Sequence, residues 1–225
     1  MKIKGKEYFS VSQLELWSCC RRAWYLIKRC GYSEDQTENQ YLIRGKLVHE
    51  ILETQDDKYE ERAVNHKDFK RMNTQFQEET LNVFKLISQE NKLPSKPLHR
   101  ELEIINHELE MVAYLDVVGK GYIVDYKTSG FYGKVPYNYI WQLRIYATLY
   151  YLKTGILIQN LGVYYVKYGR IEWFKFSESD IIKVKKIIKE TIKAINKSIK
   201  INDFDNCTNT GKYKNNCLCK KIHKV

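Results

Sequence analysis

Two acidic residues and a lysine sit at the ends of two apolar runs that meet across a glycine turn. The first run ends Tyr114-Leu115-Asp116, the turn is Gly119-Lys120-Gly121, and the second run reads Val124-Asp125-Tyr126-Lys127. This pattern predicts a β-hairpin. Strand alternation puts Asp125 and Lys127 on one face, and Asp116 can meet them from the neighbouring strand. Burying three charges at the ends of apolar strands is costly unless they hold a metal or pair with each other. A divalent cation held by two carboxylates, with an ammonium beside it, suits the activation of water against a phosphodiester. Each residue alone has a plainer reading. A strand-end aspartate often accepts turn hydrogen bonds, and an acid-x-Lys triplet arises by chance. The joint placement on one hairpin carries the signal.

The chain around the hairpin divides into recognisable segments. Ser12-Gln13-Leu14-Glu15 has the pattern of a capping box and predicts a helix through Leu14, Trp17, Arg21, Trp24, Tyr25 and Lys28, stopped near Gly31. A second helix is predicted from Tyr41 to about Glu53. The charged stretch from Asp56 to Asn91 reads as mostly helical, with Phe76, Leu81, Phe84 and Ile87 on its buried side. Leu93-Pro94-Ser95-Lys96-Pro97 ends it. Strands are predicted over Arg100–Ile105, Leu109–Val118 and Tyr122–Thr128, then a helix from Val135 to Lys153 ended by Gly155. A further hairpin, Gly162–Lys167 with Ile171–Phe176, precedes a last helix capped by Ser177-Glu178-Ser179-Asp180. Its apolar stripe is Ile181, Val184, Ile188, Ile192, Ile195 and Ile199, at helical spacing. Helices followed by a mixed sheet interrupted by a helix predict an α/β or α+β domain. The expected layout is one domain over 1–225, with a helical part at 1–92, a sheet core at 98–176, and a helix with a cysteine-bearing tail at 177–225.

At 225 residues and 44% hydrophobic content, the chain can bury a real core. It has no run of eighteen uncharged apolar residues, so no membrane span is expected. The basic start, Met1 to Lys6, leads into no apolar signal core, and the default expectation is a cytoplasmic protein. The formal charge of +11 favours a polyanionic partner. Most of it lies in 181–225, where twelve lysines and no arginine face Glu190, Asp203 and Asp205. This tail is a candidate surface for a nucleic-acid backbone. A solvated lysine-rich helix face is the alternative.

Three further residues can join the hairpin. Gln142 and Tyr146, four apart in the helix after it, share a face. They can meet a nucleic-acid backbone or brace Lys127, or belong to ordinary packing beside Trp141, Leu143, Ile145 and Leu149. His49 lies on the second predicted helix, one turn beyond Gly45, which would permit close packing. Near two carboxylates, a neutral imidazole can ligate a metal.

The series Arg44-Gly45-x-x-x-His49, Leu115-Asp116, Asp125-Tyr126-Lys127 and Gln142-x-x-x-Tyr146 resembles the RecB-like nucleases of the PD-(D/E)XK superfamily. Ser10-Val11-Ser12-Gln13-Leu14 with Cys19-Cys20-Arg21-Arg22-Ala23-Trp24-Tyr25 is similar to the N-terminal signature of that family. The likeness runs from about Ser10 to the C-terminus. Single-domain relatives include CRISPR-adaptation exonucleases and phage-borne nucleases. The resemblance implies a restriction-endonuclease-like core and a metal-dependent deoxyribonuclease, an exonuclease at single-stranded or free DNA ends. It implies that His49, Asp116, Asp125 and the Tyr126 carbonyl bind Mg²⁺ or Mn²⁺. Lys127 would orient the attacking water and offset charge on the phosphate, while Gln142 and Tyr146 position the strand. Glu101 or Glu103 would reach the metal's outer sphere, and simple alternation puts both on one face. The aromatics Tyr132, Tyr137, Tyr139 and Trp141 can stack bases near such a site, with core packing the alternative for at least half of them. The competing reading is a non-catalytic nucleic-acid-binding module of the same fold.

Six cysteines occupy the two ends of the chain, and a cytosolic setting argues against disulfides. Relatives often carry an iron–sulfur cluster held by one early and three late cysteines. The resemblance therefore implies a [4Fe-4S] cluster on Cys19, Cys207, Cys217 and Cys219. Cys20 or Cys30 can stand in for Cys19, and His223 for a late ligand. The late spacing, Cys207-x9-Cys217-x-Cys219, departs from the family pattern, and zinc is the competing metal.

Overall fold

The computed structural model describes residues 2–3, 6–34, 39–54, 58–90, 97–204, 219 and 222–224. In chain order the elements are β1 (Lys2–Ile3), β2 (Lys6–Glu7), β3 (Phe9–Ser10), α1 (Val11–Cys19), α2 (Arg21–Arg29), β4 (Tyr32–Glu34), α3 (Gln40–Glu53), α4 (Tyr59–Asn65), α5 (Lys67–Lys70), α6 (Thr74–Glu90), β5 (His99–Asn106), β6 (Met111–Gly119), β7 (Tyr122–Lys127), α7 (Tyr137–Thr154), β8 (Asn160–Tyr165), β9 (Arg170–Lys175), α8 (Glu178–Ile201) and β10 (Ile222–Lys224). The chain divides into two compact units. One comprises Met1–Thr37, Ile105–Val112 and Ile181–Val225; the other comprises Glu38–Ile104 and Ala113–Asp180.

In the first unit, the helix predicted from Ser12 to Lys28 is two helices. The Ser10 hydroxyl accepts the Gln13 N–H at 3.3 Å and caps α1, two residues earlier than the sequence pattern suggested. The reason is local: Ser10 is the last residue of β3, which pairs in parallel with Met111 and Val112, and its extended backbone places its hydroxyl to cap the helix that starts at the next residue. Cys20 is extended (φ −160°), and its Sγ takes the Ala23 N–H at 3.5 Å to cap α2. Phe204, just past α8, stacks on Tyr25 at 4.1 Å with ring planes 9° apart, and the rings of Trp17 and Trp24 each lie 6.3 Å away. β10 pairs antiparallel with β4. Early and late parts of the chain therefore meet through an aromatic cluster and a strand pair.

In the second unit, β5 pairs with β6, β6 with β7 antiparallel, β7 with β8 in parallel, and β8 with β9 antiparallel. This mixed sheet has the α/β order read from the sequence. The parallel β7–β8 step needs a crossover, and α7 supplies it. Gly155 ends α7 with φ +73°, a left-handed cap that favours glycine. On one side of the sheet, Val117, Val124, Tyr126, Tyr164 and Val166 share a core with Leu47, Val48, Ile51 and Leu52 of α3, Tyr59, Phe69, and Val83, Phe84 and Ile87 of α6. α7 packs on β7 and β8 and buries Leu143, Ile145, Ala147 and Leu149. With both faces covered, β7 is buried at four consecutive positions, Ile123 to Tyr126, rather than at alternate ones.

α8 starts as its sequence predicts: Asp180 Oδ2 accepts the Ser177 N–H at 3.0 Å and its hydroxyl at 2.9 Å. Ile181, Val184, Ile188, Ile192 and Ile195 are buried, and Ser198 takes the last buried position expected of Ile199. No helix among the described residues is long and apolar enough to cross a membrane.

Candidate active site

The hairpin of β6 and β7 positions the charged residues. Its register pairs Gly119 with Tyr122, Val118 with Ile123 and Val117 with Val124. The next step sets Asp116 opposite Asp125. There the ladder gives way, and the Asp116 carboxylate accepts the backbone N–H of Tyr126 at 2.7 Å. Asp116 is 8% exposed and Asp125 2%.

Lys127 lies on the same face as Asp125, with Nζ 2.7 Å from Asp125 Oδ2. That oxygen is buried and receives no well-directed hydrogen bond, so the contact is an ion pair rather than an aligned bond. α7 completes the ammonium's surroundings. Lys127 Nζ donates to Gln142 Oε1 at 2.9 Å, and Gln142 Nε2 donates to the Tyr146 hydroxyl at 2.6 Å. The ring of Tyr139 lies 4.5 Å from Nζ, and its hydroxyl meets Ser129 Oγ at 3.2 Å. Of the three readings open to Gln142 and Tyr146, this geometry provides the bracing of Lys127, directly by Gln142 and through it by Tyr146. Tyr139, grouped in the sequence with aromatics expected to stack bases, faces the lysine. Tyr132 and Tyr137 are 93% and 73% exposed.

α3 brings His49. A methyl group on Gly45 would touch Thr128 Oγ1 at 3.4 Å, so the helix runs close against the residue that follows β7. Beside it, buried Arg44 is held by Glu79 at 2.7 Å and by the rings of Tyr41 and Phe76. One turn on, His49 Nε2 donates to the Tyr126 carbonyl at 3.1 Å, and Nδ1 lies 3.5 Å from Asp116 Oδ2.

The structure separates Glu101 from Glu103. Glu103 accepts the Tyr114 hydroxyl at 2.8 Å. Glu101 has φ +45°, an irregularity for a non-glycine strand residue. Donor atoms of His49, Glu101 and Asp116 lie within 4.8 Å of one another. Arg100 anchors this part of β5 to the Leu52 carbonyl at 3.1 Å and the Tyr126 hydroxyl at 2.9 Å. Alternation placed both glutamates on one face. No feature of the sequence marks the backbone irregularity that breaks it.

The electrostatics follow from burial and proximity. Burial, then the Asp116 charge, pushes the Glu101 carboxyl up to about 7. Burial also raises the Asp125 carboxyl, against the pull of Lys127. For His49, burial works against the proton, but the hydrogen bond and charge of Asp116, with Asp125, raise its pKa to about 9. Burial likewise opposes the charge on Lys127, and Asp125 outweighs it and raises its pKa. Two carboxyl groups whose charge is disfavoured by burial, and a set of oxygens with one imidazole, fit a hard divalent cation.

The sequence matches the family model of the PD-(D/E)XK nuclease superfamily over residues 8–219. The chain belongs to this superfamily. It is a RecB-like nuclease with the restriction-endonuclease-like fold. Among solved structures, a protein from Eubacterium rectale described as a candidate exonuclease superposes with a TM-score of 0.64 at 14% identity, over 89% of this chain and 84% of that one. That likeness concerns the fold. No curated protein matches the sequence.

Among the cysteines, Cys19 is exposed, whereas Cys20 is buried with Ala23 in a small apolar cluster against which Leu16 and Cys219 pack. Cys207 and Cys217 lie outside the described residues, as does the side chain of His223.

Proposed function

We propose that this nuclease is a divalent-metal-dependent deoxyribonuclease acting as an exonuclease at single-stranded ends. The observation that carries the reading is the convergence of His49, Glu101 and Asp116 on one point while the Asp125–Lys127 pair stands beside it. Mg²⁺ or Mn²⁺ would be held by His49, Asp116 and Glu101, with Asp125 and the Tyr126 carbonyl adjoining. When bound, the cation polarises the phosphoryl group and makes a bound water more acidic.

The chain's own residues supply the rest. Lys127, kept charged by Asp125 and braced by Gln142 and Tyr139, donates toward the attacking water or a phosphate oxygen and offsets the negative charge that grows there. Tyr146 positions Gln142. Asp116 fixes the Tyr126 peptide and so holds Asp125 and Lys127 in place. The water oxygen bonds to phosphorus and releases a proton to solvent, the P–O bond to the leaving sugar breaks, and the leaving oxygen takes a proton from solvent. Exposed Tyr132 and Tyr137 offer stacking faces to unpaired bases, which supports the preference for single strands.

End-labelled single- and double-stranded DNA, incubated with Mn²⁺, Mg²⁺ or EDTA, tests this reading. Metal-dependent release of short products from single-stranded ends is expected. Internal fragments would replace the exonuclease by an endonuclease. Binding without cleavage would leave a nucleic-acid-binding module.

For the cysteines, we infer that Cys20 is the early partner of Cys219 in a [4Fe-4S] cluster, because these two share one apolar cluster and Cys19 does not. Iron–sulfur charge transfer would colour protein purified without oxygen. A colourless protein with bound zinc would favour the alternative.

A further inference from the structure

The candidate site leaves unused a lysine-rich surface on α8. α8 buries its apolar stripe, and its exposed side carries lysines. Within the unit that contains 105–112 and 181–225, a groove runs between the turn at 107–110 and the second half of α8. Glu108, Glu110, Lys189, Lys193, Lys197 and Lys200 are the charged residues that line it.

The two glutamates are already paired. Glu108 lies 2.8 Å from Lys189 and 3.6 Å from Lys185, and Glu110 lies 3.2 Å from Lys6. Lys193, Lys197 and Lys200 are exposed, and no ion pair reaches them among the described residues. Steps of four and three residues put these lysines on one helix face. The row spans about 10.5 Å along the axis, the length over which one strand of duplex DNA presents about three phosphates.

We propose that this groove grips the phosphate backbone of DNA without regard to sequence, through Lys193, Lys197 and Lys200. The naming of DNA as the polyanion rests on the nuclease reading above. An anionic membrane is the weaker match, because the apolar face that a surface helix would sink into lipid is here the buried stripe of α8.

The test measures affinity for single-stranded and duplex oligonucleotides in EDTA across a range of salt. The wild-type chain is compared with the triple variant Lys193→Gln, Lys197→Gln, Lys200→Gln and with Lys183→Gln, Lys186→Gln as a control on the same helix. The triple variant should flatten the plot of log affinity against log salt by about 2.7 for duplex and about 2 for single strands, while the control leaves it nearly unchanged. In wild-type protein, bound DNA should also shield these three amines from acetylation, a readout that needs no variant to fold. An unchanged slope, an equal loss in the control, or no shielding would overturn the proposal.

Hydrolysis of a small aryl phosphodiester, which has no flanking backbone, keeps the two readings apart. Wild-type protein that fails to hydrolyse it with any metal, yet shows the slope change, would sink the nuclease reading and spare the groove. Normal hydrolysis with an unchanged slope would do the reverse.

Discussion

Asp116 Oδ2 accepts the N–H of Tyr126 at 2.7 Å, so a side chain of one strand fixes the peptide that separates Asp125 from Lys127 on the next. Charge and geometry are therefore separable at this position. Asp116→Asn keeps an oxygen for that N–H but removes the charge; Asp116→Ala leaves a buried donor unpaired, which costs about 1–3 kcal/mol. Both variants should lose cleavage, but only the alanine variant should unfold at clearly lower urea concentration. Equal stabilities would show that the hydrogen bond does not organise the hairpin.

Replacing Lys127 by methionine should lower the cleavage rate by roughly 10²–10³-fold, the usual cost of removing one donor from developing charge. Mn²⁺ binding, measured by titration calorimetry, should survive, because the lysine is a neighbour of the proposed ligands and not one of them. Lost metal binding together with lost activity would assign Lys127 a structural role.

Tyr139 should act through Lys127. A cation over an aromatic face is worth about 0.5–2 kcal/mol, so Tyr139→Leu should lower kcat by about 2- to 30-fold with KM little changed. Tyr139→Phe keeps the ring 4.5 Å from the ammonium and should restore most of the rate. A rise in KM that phenylalanine also corrects would point to base stacking instead.

The pKa shifts set opposite pH trends for metal binding and for the metal-free fold. His49 is raised to about 9 and Glu101 to about 7, so the metal-free folded protein binds more protons than the unfolded chain. Their stabilising contribution is complete at acid pH, below the unfolded pKa values, and is lost as pH rises through about 7 and then about 9. A cation must displace the same protons, so Mn²⁺ affinity should climb over this interval and level off above it. Calorimetry in buffers of different ionisation enthalpy would count the protons released. A flat affinity between pH 6 and pH 9 would contradict the site as drawn.

Much of the fold was legible because the signals are local. The glycine turn at 119–121, the alternation of Asp125 and Lys127, the Ser177–Asp180 cap and the isoleucine stripe of α8 each follow from residues a few positions apart. The single helix expected across Cys20 failed for the opposite reason. Its interruption goes with a buried thiol that caps α2 and packs in an apolar cluster with Cys219.

The sequence alone pointed to His49, Asp116, Asp125 and Lys127 as neighbours in one proposed site, and to the strands and helix that present them, since periodicity dictates which face a side chain occupies. Only the tertiary structure decided that Glu101 rather than Glu103 turns toward His49 and Asp116, that Tyr139 covers the lysine, and that Cys20 rather than Cys19 lies beside Cys219. Those choices depend on a backbone irregularity and on packing between segments far apart in the chain, and neither leaves a periodic trace.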